Sequence, residues 1–243
     1  MFQRMFVGLV LVILLPGIIL AFLFFGRMLL DMPPWAIYAG LGAAVGILLD
    51  AVLLSKIPGL ETFEHELTHS VASLIFFRRV TRFVTTHYDG GYVEHTGGFG
   101  GTFGDDFIGL APYFFPTFTV ASVLVHPFLG SGWFPWFDLW IGFTFGYHVW
   151  STVKETRRSW TKNLFLCASG QMDQTDIARR GFVFSFIYIT ALTLAIHTVL
   201  LVIMLKGYSG LPVWWYKVWL TTKIVLAGIV SHAENVLKVF HGK

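Results

Sequence analysis

The sequence predicts an all-α polytopic membrane protein, six or seven transmembrane helices with one small β-hairpin set among them. Three observations predict it. Hydrophobic residues make up 55% of the 243 residues and charged residues 13%, about half the charged share of a soluble domain; the mean hydropathy is +0.68. Apolar stretches long enough to cross about 30 Å of hydrocarbon recur along the chain. Between two of them, a run of β-branched and aromatic residues is broken by Asp89-Gly90-Gly91, a hairpin turn signal. No second composition interrupts this pattern, so 1–243 reads as a single membrane domain. Its net charge is only +3, with Lys and Arg beside apolar spans. That implies the lipid bilayer as partner and argues against nucleic acid. The lone Cys167 excludes an intramolecular disulfide and a cysteine-rich metal knuckle.

Taken in order, the first span is expected at about Met5–Leu29 and is closed by Asp31-Met32-Pro33-Pro34. It is too long for a signal-peptide core and lacks a clear small-residue cleavage site, so it reads as an anchor. A second span covers about Trp35–Leu54; Asp50 near its end either faces a neighbour or, the preferred reading, is a solvated helix end. These two accessory spans, 5–54, precede a core at 60–206. The core opens with Glu61–Phe77, apolar on one side and carrying Glu61, Glu64, His65, Glu66, Thr68 and His69 on the other. The hairpin is expected over 80–96. Five glycines in Gly97–Asp106 then require a loop that is mobile or closely packed. A fourth span, Phe107–Leu129, contains Pro112 and Pro116 near its start, which predicts a kinked or unwound entry. A bilayer tolerates that only where protein or a wet cavity meets the freed carbonyls. The fifth span is expected at about Phe134–Val153, with Trp133, Trp136 and Trp140 suited to an interfacial belt. Lys154–Arg180 reads as the one long polar loop and Gly181–Leu205 as the sixth span. The remainder, 207–243, holds Leu211–Val230, a seventh span or, given Lys217 and Lys223, an interfacial helix.

Basic residues set the expected orientation. With six alternating spans, Arg27, Arg78, Arg79, Arg82, Lys154, Arg157, Arg158, Lys162, Arg179 and Arg180 fall on one face, and Arg4, Lys56 and Lys206 on the other. The positive-inside rule then puts the richer face in the cytoplasm and the N-terminus outside a plasma or inner membrane.

The chemistry-bearing pattern is His65-Glu66-Leu67-Thr68-His69. Residues four apart on a helix lie one turn above each other, so both imidazoles can reach one Zn2+ ion. Glu66 then stands where it can accept a proton from an attacking water and pass it to a leaving amine. The alternative is a membrane helix whose polar face is merely solvated or paired, but ionisable groups inside a bilayer are costly and point to function. Catalytic zinc takes a third protein ligand; Asp173 and Asp176 are both candidates, and both also suit a helix N-terminus. His148 in the fifth span is a candidate supporting residue, for a substrate carbonyl or a metal ligand, or else a histidine paired with a neighbouring helix. Tyr113 is a candidate oxyanion donor or an interfacial tyrosine.

These features together resemble the site-2 protease-like family of intramembrane zinc metallopeptidases. The shared features are the HExxH helix, the basic turn and hairpin after it, the Pro112 segment and a later aspartate at a helix end. The chain departs from that family at Thr68 and Ala111, where glycines are usual, and has no Asp-Gly pair at the third ligand. The resemblance implies His65, His69 and a distant aspartate as metal ligands, and Glu66 as catalytic base. Asp176 is preferred to Asp173, which is better placed to cap the sixth span. The expected function is hydrolysis of membrane-embedded or membrane-proximal peptides. The alternatives are a catalytically silent protease-like subunit, with a membrane partner, or a metal- or haem-handling protein using the same histidines.

Overall fold

The computed structural model describes residues 2–31, 33–57, 59–86, 90–169 and 175–241. The apolar runs close into helices, since inside a membrane each backbone N–H must find its carbonyl within the same segment. They are α1 (Phe2–Arg27), α2 (Pro34–Val52), α3 (Leu60–Ile75), α4 (Gly101–Leu110), α5 (Thr117–Val125), α6 (Phe134–Ser169), α7 (Asp176–Arg180), α8 (Phe182–Lys206) and α9 (Leu211–His241). Strands β1 (Arg79–Thr85) and β2 (Gly91–Thr96) pair antiparallel, with an irregularity between Val80 and Arg82. Of the expected turn, Asp89 lies outside the described residues.

Four helical segments are long and apolar enough to cross a membrane: Phe2–Asp31, Pro34–Lys56, Phe182–Lys206 and Tyr208–His232. Gly101–Tyr113 and Thr117–Phe128, bent by 90° at Pro112–Pro116, make a fifth if they form one broken span. The count is thus four or five among the described residues, below the expected six or seven. Two elements account for the difference. α3 has only 16 residues, and Lys154 and Arg158 hold Glu61 at one end while Asp105 holds Arg78 just past the other. The first half of α6 is long enough, but Asp138, His148 and its Trp, Gly and Thr residues lower its hydropathy.

Helix α3 ends in a Schellman pattern: Arg78 N–H donates to Ser73 O (3.0 Å) and Phe77 N–H to Leu74 O (2.9 Å). Phe77 takes the left-handed position, φ 52°, usually filled by glycine. This stop swings Arg78 against the glycine-rich segment, where Gly98 of the loop and Gly104 of α4 pack on Phe76 and Arg78. The core around it joins Ala72, Phe76, Ile108, Leu110, Phe114 and Tyr188.

Two expectations are corrected. The polar loop after Val153 is mostly helix, because no Gly or Pro interrupts the sequence before Gly170 and α6 runs on to Ser169. Asp50 is not solvated; it is fully buried and lies 2.6 Å from Lys154. Arg4 sits 2.9 Å from Asp106, beside Arg180 and the start of α4.

Candidate metal centre

One turn of α3 puts the His65 and His69 rings side by side, with centroids 4.7 Å apart. Their Nε2 atoms are 3.0 Å apart, and each lies 3.6 Å from Asp176 Oδ2. Three donor atoms thus form a triangle with edges of 3.0, 3.6 and 3.6 Å. Tetrahedral zinc bonded at about 2.0–2.1 Å separates its ligand atoms by roughly 3.3 Å, so the donor set fits zinc in both chemistry and spacing. Among the described residues this is the group of three metal-capable side chains that converges so closely.

The far sides of both rings are occupied. His69 Nδ1 lies 2.7 Å from Ile108 O, and a carbonyl only accepts, so Nδ1 carries the proton. His65 Nδ1 lies 2.9 and 3.1 Å from the two Glu155 carboxylate oxygens. With the proton on Nδ1 in each neutral ring, both Nε2 lone pairs face the same point. Two bare acceptors at 3.0 Å repel each other unless a cation lies between them, and outer-shell carboxylates and carbonyls orient metal-bound histidines in this way.

Asp176 opens α7 one residue after Thr175, the cap of that helix, which accepts a hydrogen bond from Ala178 N–H. The cap assigned to Asp173 is therefore Thr175 in the structure, and Asp173 itself lies outside the described residues. Burial opposes a charge on Asp176. A cation held between Asp176, His65 and His69 would offset that cost, since a neighbouring positive charge favours the ionised carboxyl.

Glu66 is buried and lines a cavity of about 620 Å³ with His69, Asp176, Tyr113, Glu155 and β2 residues Tyr92 and His95. Strand β2 closes over it at Gly91: a Cβ there would stand 2.6 Å from Glu66 Cγ and 2.6 Å from Val84 O, so only glycine fits. Tyr113 belongs to the same constellation, its hydroxyl donating to Glu155 Oε1 (3.3 Å) and its ring edge-on to His65. His148 does not. It pairs with Glu64 on the other side of α3, Nδ1 to Oε1 3.5 Å, which makes it the histidine of a helix–helix pair. Glu64 faces that way because it precedes Glu66 by two residues, about 200° around the helix.

Two participants have places that the sequence did not assign them: Glu155 reads there only as a reserve third ligand, and His95 as a solvated residue beside the hairpin turn. Glu155, ninety residues from His65, is carried to the site by the unbroken continuation of α6. His95 lines the cavity 3.4 Å from Arg78; burial, then the Arg78 charge, hold its imidazole below the ordinary value. Only the absence of helix breakers after Val153 signalled the first, and the inward side of the strand alternation the second. No protein-family model, no curated protein and no solved structure matches the chain.

Proposed function

We propose that this chain is an intramembrane zinc metallopeptidase of the site-2 protease-like kind, cleaving membrane-embedded or membrane-proximal peptides. The observation that carries the reading is the convergence of His65 Nε2, His69 Nε2 and Asp176 Oδ2, with both Nδ1 positions occupied and Glu66 in the adjoining cavity. Zinc held by these three residues supplies Lewis-acid polarisation of a carbonyl and a water activated near neutral pH. Glu66 receives the proton released by the attacking water and delivers it to the leaving amine. Tyr113, whose ring stands edge-on to His65, offers a hydroxyl for the charge that develops on the carbonyl oxygen. A helical substrate must first unwind, because its carbonyls are already hydrogen-bonded. Tyr92 and Val93 of β2 line the cavity and offer an edge on which an unwound peptide can pair as an added strand.

The same reading sets the orientation. Arg4, Arg78, Lys154 and Arg180 are tied to one end of the molecule, whereas Arg27 and Lys206 close α1 and α8 at the other. By the positive-inside rule the hairpin end, including the N-terminus, is cytoplasmic.

Metal analysis and a reconstituted cleavage assay test the reading together. Wild-type protein is expected to hold one zinc per chain and to cut a membrane peptide. Glu66→Gln is expected to keep the zinc and lose cleavage, since the amide has no basic oxygen to accept the proton. Wild-type protein without zinc, or an active Glu66→Gln protein, overturns it.

A further inference from the structure

Asp176 Oδ2 faces the histidines, but its other oxygen is also spoken for. Arg180 Nη1 lies 3.3 Å from Asp176 Oδ1 and donates to the Asp176 carbonyl at 3.1 Å. Its Nη2 donates to Asp105 O at 3.1 Å, and its Nε lies 3.4 Å from Asp106 Oδ1. All three guanidinium nitrogens thus have oxygen neighbours, on two different elements. The side chain is 15% exposed, unlike a surface arginine.

The slot it occupies is built for it. Gly109 lies directly beneath the guanidinium, and any Cβ there would overlap the Nη2 and Cζ positions. Asp106, 3% exposed, is shared with Arg4 of α1, whose Nε and Nη2 each lie 2.9 Å from one of its oxygens. The buried Asp106 carboxylate sits between the two guanidiniums and so links Arg180 of α7 to Arg4 of α1 through α4.

We infer that Arg180 is a positioning residue for the third metal ligand. Clamped over Gly109 and anchored through Asp106 to Arg4, it fixes the Asp176 carboxylate so that Oδ2 faces His65 and His69. The inference rests on the zinc reading above. It also gives the first helix a part in the site, through Arg4. Arginine is required because a planar fork can serve both Asp176 and the α4 oxygens at once, and an ammonium cannot.

The test is zinc affinity, measured by chelator competition on the full chain in lipid nanodiscs. Arg180→Ala is expected to weaken zinc by about 10–100-fold, the usual cost of losing an outer-shell partner. Arg180→Lys should recover part of that loss, because it restores charge without the fork. Gly109→Ala keeps every charge but fills the slot, and should weaken zinc to a similar degree while the metal-free protein melts within a few degrees of wild type. At saturating zinc, kcat should return in these variants with KM unchanged. Wild-type zinc affinity in both Arg180→Ala and Gly109→Ala overturns the inference while leaving the zinc reading intact. A wild-type chain that binds no zinc overturns both.

Discussion

Asp176 divides its two oxygens between a histidine pair and an arginine, and that division separates ligand from supporting residues. We predict that Asp176→Asn, which keeps the shape but loses the anionic oxygen, lowers zinc affinity by more than the roughly 10–100-fold expected for an outer-shell partner. His148→Asn should leave zinc affinity at the wild-type value. It removes the partner of buried Glu64 and should cost about 1–3 kcal/mol of stability, as for any buried polar group left unsatisfied. Chelator competition and thermal unfolding of the two proteins check this; loss of zinc from His148→Asn would return that histidine to the metal centre. His65, Glu66 and His69 are legible in the sequence because helical periodicity alone brings positions i and i+4 together. Asp176 is legible only as one of two aspartates, since nothing local tells which of two nearby carboxylates a folded chain presents. Glu155 and Arg180 act through contacts made across 90 and 75 residues, which no local pattern encodes.

The same division between local and distant information recurs among the elements. Helices α2 and α6 approach so closely that their backbones meet: a Cβ on Gly42 or Gly46 would overlap Leu139 or Phe143 carbonyls, and one on Gly142 or Gly146 would overlap those of Ala39 or Ala43. These are two small-xxx-small stripes facing each other, the packing that lets helices associate where no hydrophobic driving force exists between them. Because α6 also carries Lys154 and Glu155, the α2 brace sets the height of the outer shell around His65. Gly42→Ala is therefore predicted to destabilise the protein by about 1–3 kcal/mol through overpacking and to weaken zinc as α6 shifts. Gly40→Ala, on the same helix with open space beyond its Cα, should be neutral or stabilising by up to about 1 kcal/mol from helix propensity. Equal melting temperatures for the two variants would mean that the contact carries no weight. The apolar helices, the hairpin and the proline break are legible because each rests on a local period or a local breaker. The 16-residue length of α3 and the extension of α6 are less so. A polar helix held by tertiary contacts has the same composition as a loop, and a short amphipathic helix resembles a truncated span.

At the scale of the whole molecule, polar and apolar functions separate along the helix direction. The His65–His69–Asp176 cluster, the cavity, the hairpin and the Arg4–Asp106–Arg180 cluster occupy one end. At the other end α8 turns into α9, where the Tyr208 hydroxyl donates to Leu124 O. Helix α1 leads from Arg4 at the first end to Arg27 at the second, and α2 returns to Asp50, which meets Lys154. Glu61 meets the same lysine, so residues between Asp50 and Glu61, Lys56 included, stay at that end, and α3 begins and ends there. On the orientation proposed above, α1 and α2 lead out and back, so Arg4 and the hairpin share one end. Counting α3 as a crossing instead would put Arg4 and Asp106 on opposite faces, which their 2.9 Å separation forbids. We therefore predict that, with Cys167 replaced, single cysteines at Gln3 and Glu94 share one labelling class in intact cells. Both should be protected from a membrane-impermeant maleimide until the cells are permeabilised. Cysteines at Asp31 and Ser209, exposed at the other end, should label at once. If Gln3 and Glu94 label from opposite sides, the first helix does not begin beside the metal centre, and the path just traced fails at its first step. If they share a class but label before permeabilisation, the path stands and the positive-inside assignment is reversed.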